Sequence, residues 1–328
     1  MFARTILTLA LVLGIALAAY ILYGSRIVSQ FATAGDREPN VELNAPEEAL
    51  TQIGVVRDSR LTEISGIDAS ILNPNAYWVH NDSGHPADVY LITQSGETLM
   101  RVKLGGAKNI DWEDVSVFRL WGQPVVCIGD VGDNAGKRKT CQLYLFDEPE
   151  VPTAKSNQPA ELTLAADDVT KIEFTYDDGP RNCEAIAYDP RGRSLLLFQK
   201  AIDKNEEEKA FGIYTLRFQP RQKKMLSNIA GRVADNRDRL TTGVDVSSDG
   251  KQILSCNYAL GSYSAKPPAL TWANYLHSAD FTSIPLPVQR QREAICFTSD
   301  GKSAIVVSEF GKQPIWKVNL QPLLKSKK

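Results

Sequence analysis

Histidine is scarce in this chain, with three in 328 residues. Two of them, His80 and His85, flank the turn Asn81-Asp82-Ser83-Gly84, and are expected to be surface turn residues. Imidazole acid–base chemistry and His-rich transition-metal sites therefore find little support. There is no G-x-S-x-G elbow, no H-E-x-x-H, and no G-x-G-x-x-G between a strand and a helix, so the motif-borne hydrolase, zinc-peptidase and dinucleotide readings fall away. The Gly-rich stretch Gly132 to Lys137 lacks the earlier glycine of a phosphate-binding loop and lies in a hairpin. The five cysteines, Cys127, Cys141, Cys183, Cys256 and Cys296, show no C-x-x-C spacing, which leaves no thiol zinc site or thioredoxin-like pair. Nor is there an excess of charge of one sign: 37 basic against 39 acidic residues give a net charge of -2, which argues against a nucleic-acid partner. The basic clusters Gly136 to Lys139 and Lys325 to Lys328 are short and read as a solvated loop and tail.

What the sequence does have is a unit that recurs five times. It starts at Ser65-Gly66-Ile67, Glu113-Asp114-Val115, Glu184-Ala185-Ile186, Thr242-Gly243-Val244 and Glu293-Ala294-Ile295. From each start a second run closes 15 to 17 residues later, at Asp82, Asp130, Lys200, Asn257 and Glu309. That is the length of one β-hairpin, and Asp249-Gly250 and Asp300-Gly301 are readable turns. A third apolar column follows at Val89 to Ile92, Leu143 to Phe146, Ile213 to Leu216 and Ile315 to Val318, with a degenerate fourth copy around Leu270 to Tyr275. Each is followed by a further run such as Lys171 to Phe174, or Gln52 to Val56.

Four-stranded units repeating every 48 to 71 residues predict an all-β chain, a β-propeller of five four-stranded blades. Only about 35 residues follow Glu293, so residues 50 to 60 are expected to add the outer strand to the blade that ends at Leu320. Six blades are the alternative, if the 71-residue second unit is split between Cys141 and Tyr176.

From Thr5 to Ser25 no residue is charged, and at 1.5 Å per residue such a run crosses a bilayer core of about 30 Å. The expected organisation is a membrane anchor over 1–25, a polar tether over 26–50, the propeller over 51–322 and a basic tail over 323–328. Arg4 and the chain amine favour an inside N-terminus and a body on the periplasmic or extracellular side. Cleavage after a signal segment, at Ala32-Thr33-Ala34, is the competing reading. Outside the cytoplasm a disulfide is permitted, and Cys127 and Cys141 fall on consecutive strands of one hairpin; the other reading leaves all five cysteines as small buried hydrophobes.

In a propeller the first strand of each blade lines the central shaft. Ser65, Glu113, Glu184, Thr242 and Glu293 would then converge at one mouth. Three carboxylates there would repel one another unless a cation neutralised them, and calcium, with its many oxygen ligands, suits such a site. Glu63 and Asp111 add acid just upstream, and the second-strand ends contribute Asp82, Asp130 and Glu309.

With Ser299-Asp300-Gly301-Lys302 and Ser308-Glu309 added, this series resembles the bacterial esterase-like domain related to β-propeller phytases, over roughly residues 50 to 320. Trp78 to Gly84, Asp111 to Asp114 and Gly129 to Asn134 are similar to signatures of a group of secreted bacterial propellers. The resemblance implies an exported propeller with Glu113, Glu184 and Glu293 as calcium ligands and, in true phytases, hydrolysis of phosphate esters with basic residues holding phosphate. The chain departs from that pattern at Ser65 and Thr242, and Lys200, Arg181 and Arg292 are its only register-consistent bases. The favoured function is a calcium-stabilised module that binds a small ligand or a protein; a calcium-dependent hydrolase of phosphate or ester bonds is the alternative.

Overall fold

The computed structural model describes residues 49–153, 158–201, 211–238, 240–289 and 291–325. The expected anchor over 1–25 and nearly all of the tether over 26–50 lie outside them. No helix among the described residues is long and apolar enough to cross a membrane.

The chain is all-β. Strand β1 (Leu50–Val55) precedes the first repeat, formed by β2 (Ile64–Ala69), β3 (Ala76–Asn81), β4 (Asp88–Thr93) and β5 (Thr98–Leu104). The second repeat holds β6 (Trp112–Leu120), β7 (Gln123–Asp130) and β8 (Cys141–Asp147), followed by β9 (Ala160–Leu164) and β10 (Thr170–Tyr176). The third holds β11 (Cys183–Asp189), β12 (Ser194–Gln199), β13 (Phe211–Arg217) and β14 (Ile229–Asn236). The fourth holds β15 (Gly243–Val246), β16 (Gln252–Cys256), β17 (Gly261–Ala265) and β18 (Thr282–Ile284), and the last β19 (Arg292–Phe297), β20 (Ser303–Ser308) and β21 (Pro314–Asn319).

Within each repeat, successive strands pair antiparallel. The first strands then neighbour one another in order: β2 lies beside β6, β6 beside β11, β11 beside β15, β15 beside β19, and β19 beside β2. This is a propeller-type arrangement, and the sequence patterns explain it. Ser194–Gln199 and Ser303–Ser308 are buried along their whole length, as strands covered on both faces must be. Thr170–Tyr176 alternates buried and open positions, as an outer strand with one solvated face should. Each hydrophobic cluster draws on two neighbouring sheets: one joins Leu195 and Leu197 to Leu143 and Leu145, another joins Ile305 and Val307 to Val79 and Ile92. The core therefore lies between the sheets rather than in a single centre.

The expected pairing of the two ends is present, for β1 lies antiparallel to β21 with Leu50 opposite Val318 and Val55 opposite Pro314. The extra strands between Cys141 and Tyr176 form no sheet of their own. β9 extends the first repeat by pairing parallel with β5, and β10 completes the second by pairing with β8. A short parallel contact of β10 with β14 joins the second and third sheets into eight strands.

Two expectations are corrected. The third strand of the fourth repeat is Gly261–Ala265, whose small polar residues hid it, whereas Trp272–Tyr275 is a helical turn capped by the Thr271 hydroxyl, which accepts from Asn274 N at 3.2 Å. The indole of Trp272 fills the space between the third and fourth sheets, beside Ala187 and Ile253. Cys127 and Cys141 are free buried thiols. Register explains this: Cys127 stands opposite Leu145, four residues along β8 from Cys141, or about 13 Å at strand rise, far beyond the Cα separation a disulfide tolerates.

Candidate functional site: an acidic mouth on the shaft

Four of the five predicted ring residues sit in β-bulges. The pairing register slips between Ile64 and Gly66, Trp112 and Asp114, Cys183 and Ala185, and Arg292 and Ala294, leaving Ser65, Glu113, Glu184 and Glu293 as the extra residues. A bulge re-aims a side chain out of the ladder, which gathers these groups at one end of the first strands. Thr242 stands just before β15, its N–H bonded to Cys256 O at 2.9 Å. The two hydroxyls tie neighbouring first strands together: Ser65 Oγ donates to Glu113 O at 2.6 Å, and Thr242 Oγ1 to Arg292 O at 2.8 Å. Gly66 permits that approach, since a Cβ there would lie 2.7 Å from Val115 N.

Among the eight acids proposed as metal ligands, Asp82, Asp111 and Glu113 come together, with one oxygen of each within 4.8 Å of the others. Glu113 is buried, and no hydrogen-bond donor reaches its carboxyl among the described residues. Burial, then the charges of Glu184, Asp82 and Asp111, push it well above the ordinary carboxylate range. Burial, Asp82 and Glu184 raise Asp111 to about 6, and burial also raises Asp82. Gly132 backs the cluster: a Cβ on it would lie 2.1 Å from Glu113 Oε1, so only glycine leaves this space open.

The other acids have partners. Glu184 accepts from Lys200 Nζ and from Asn182 Nδ2, each at 2.8 Å. Asp130 is held by Arg138 at 2.9 Å and by Asp111 N at 3.1 Å. Glu63 pairs with His85 at 2.8 Å, and Glu309 accepts from Gln291 Nε2 at 2.6 Å. Burial and the neighbouring acids raise Glu293 to about 8, with Lys200 opposing, and Glu309 to about 7.

The candidate phosphate bases divide similarly. Lys200, its side chain 14% exposed, stands in the mouth between Glu184 and the Tyr258 hydroxyl, 2.9 Å away. Burial works against its charge, but Glu184, Tyr258 and Glu293 together raise its pKa. Arg181 lies apart, bonded to the Tyr214 hydroxyl at 2.8 Å and to Asp178 at 3.1 Å. Arg292 is buried, its guanidinium donating to the carbonyls of Asn257, at 2.9 Å, and Pro287, so it offers nothing to a phosphate at the mouth.

Sequence reasoning missed a second set of carboxylates on the same strands. Asp68 Oδ2 accepts from Val117 N at 2.5 Å, Asp114 Oδ2 from Ile186 N at 2.9 Å, and Asp245 Oδ2 from Phe297 N at 2.7 Å. Each bond joins one first strand to the next, satisfying an N–H that has no ladder partner there. Burial pushes Asp68 and Asp114 well above the ordinary range and Asp245 to about 8. The signal was available, because Asp68 and Asp245 both stand three residues after a ring position.

The mouth trio fits a hard cation. Two oxygens sharing a calcium ion, each about 2.3 to 2.6 Å from it, lie no more than about 5 Å apart, and the three carboxylates meet that limit. The donor set is all oxygen, and no hydrogen-bond donor among the described residues reaches the Glu113 carboxyl.

No protein-family model matches the chain, and no curated protein matches it significantly. The esterase-like resemblance thus rests on its motifs alone. Among solved structures, the chain is similar to one in a crystal structure of a nidogen/laminin complex, at 12% identity and TM-score 0.40, covering 76% of this chain and 73% of that one. It is also similar to a chain of the mitotic checkpoint complex, at 13% identity and TM-score 0.36, covering 75% of this chain and 62% of that one.

Proposed function

We propose that this chain is a five-bladed propeller that holds calcium at its acidic mouth and uses that face to bind a small ligand or a protein partner. The carrying observation is the meeting of Asp82, Asp111 and Glu113 within 4.8 Å in front of Gly132. The five-blade reading is supported by the cycle of first strands and by the β1–β21 pairing. Bound there, calcium would neutralise the trio and tie the loops that carry it. Binding is favoured over hydrolysis because Lys200 is the one described base at the ring acids, and it is already engaged by Glu184. The same lysine supports a second reading, a calcium-dependent phosphate or ester hydrolase, since a cation beside the trio is where a phosphate would be held. The uncharged run from Thr5 to Ser25 supports an anchor that keeps the propeller on the extracytoplasmic side.

The test is thermal unfolding of the full chain with calcium and with chelator, repeated for Glu113→Gln. The expected result is a calcium-dependent rise in Tm that the variant loses; a ligand at 100 times its Kd contributes about 2.7 kcal/mol. Identical curves in calcium and chelator would remove the ion. A phosphomonoesterase assay with calcium separates the two readings, because only the hydrolase turns substrate over.

A further inference from the structure

The shaft has a second end. Where the first strands finish, on the side away from Glu113, a cavity of about 400 Å³ opens, lined by Asp68, Ser116, Phe118, Tyr188, Asp245 and Phe297 among others. That is within the size range of small-molecule sites.

Asp68, Ser116 and Asp245 occupy the same register position on β2, β6 and β15, each three residues beyond its ring position. Their exposures are 7%, 3% and 8%. Asp68 accepts from Val117 N on one oxygen and Ala69 N on the other, and Asp245 from Phe297 N; an ionised carboxylate has about four acceptor sites, so acceptor capacity remains on both. The Ser116 hydroxyl lines the cavity and makes no hydrogen bond among the described residues. Arg119 sits at the exposed rim with Nη1 donated to Gly122 O at 3.2 Å, turned onto its own hairpin. The wall includes the stacked pair of Phe118 and Tyr188, with ring centroids 3.9 Å apart.

We propose that this cavity binds a small organic ammonium ion with a short aliphatic body, its N–H groups donating to Asp68, Asp245 and the Ser116 hydroxyl. An anion would meet two carboxylates, and a neutral body would leave their charge uncompensated. A bare metal ion lacks the grouping it needs, because Asp68 and Asp245 stand on strands separated by β19 and belong to no close cluster of three acids among the described residues. Aromatic faces suit the aliphatic part and add attraction for the cation. Burial raises both carboxylates, chiefly by desolvation, and a cation seated between them offsets that penalty. This site is independent of the acidic mouth.

Isothermal titration of the full chain with 1,5-diaminopentane, with 1,5-pentanediol as the neutral isostere, tests it. The diamine is expected to bind and the diol not. Asp245→Asn, which keeps an acceptor for Phe297 N, should weaken the diamine by about tenfold or more, as loss of a charged hydrogen bond does. Ser116→Val, which adds bulk to the cavity at a side chain that makes no bond, should weaken it as well and carries the test should the first variant not fold. Glu113→Gln, at the other end, should leave binding unchanged. Absence of heat, equal binding of the diol, or loss of binding in Glu113→Gln with retention in Ser116→Val would overturn the assignment.

Discussion

Glu113 and Asp114 are consecutive residues of β6, both buried, yet their surroundings differ in one respect that sets their roles. Asp114 accepts from Ile186 N at 2.9 Å and Val115 N at 2.8 Å, so its oxygens complete the backbone of the next first strand. Glu113 receives no such donor among the described residues and faces Asp82 and Asp111 instead. The same division runs along the whole shaft: Asp68, Asp114 and Asp245 join neighbouring strands, while the bulged acids collect at the mouth. A carboxylate bonded to backbone N–H groups holds strands together, and one among other carboxylates without such donors is a demand for something positive.

The largest way to test that division is pH. Glu293 and Glu309 are raised to about 8 and about 7, above unfolded values near 4.5. The folded state therefore holds more protons than the unfolded one across that window, and stability falls as pH rises from about 4.5 to about 8. In chelator, Tm is expected to be higher at pH 5 than at pH 8, and calcium should flatten the slope; a Tm that rises with pH would contradict the placement of these acids. Next in size is Asp114→Ala, which orphans two buried N–H groups and should cost about 3 kcal/mol in urea unfolding while leaving the calcium response intact. Glu113→Gln should do the converse: a rise of about 1 kcal/mol in chelator as repulsion is relieved, with the calcium response lost. The smallest effect is expected for Ser65→Ala, about 1 kcal/mol or less of destabilisation from one lost hydroxyl bond, again with calcium binding unchanged.

The repeat was legible because first and second strands carry unbroken apolar runs between polar ends, as at Ser194–Gln199, and because strand closure could be deduced from the shortfall after Glu293. Residues whose role depends on a strand far away in sequence were harder. Asp68 bonds Val117 and Asp245 bonds Phe297, each about 50 residues off, and nothing beside either Asp announces the partner. Asp130 keeps the expected place at a strand end, but Arg138 across the loop occupies it. Arg292 has the right register and points its charge into backbone carbonyls. Gly261–Ala265 went unread because its burial comes from neighbours rather than from its own side chains.

The pairing of β1 with β21 also governs the timing of folding. The last sheet needs residues 50–55 and residues 314–319, which are made much later. Until β21 is made, β1 has no partner of its own and the gap in the circle stays open, so closure waits for residues 314–319 to emerge from the ribosome. A chain cut before Pro314 would leave β1 as a loose strand seeking another molecule's edge.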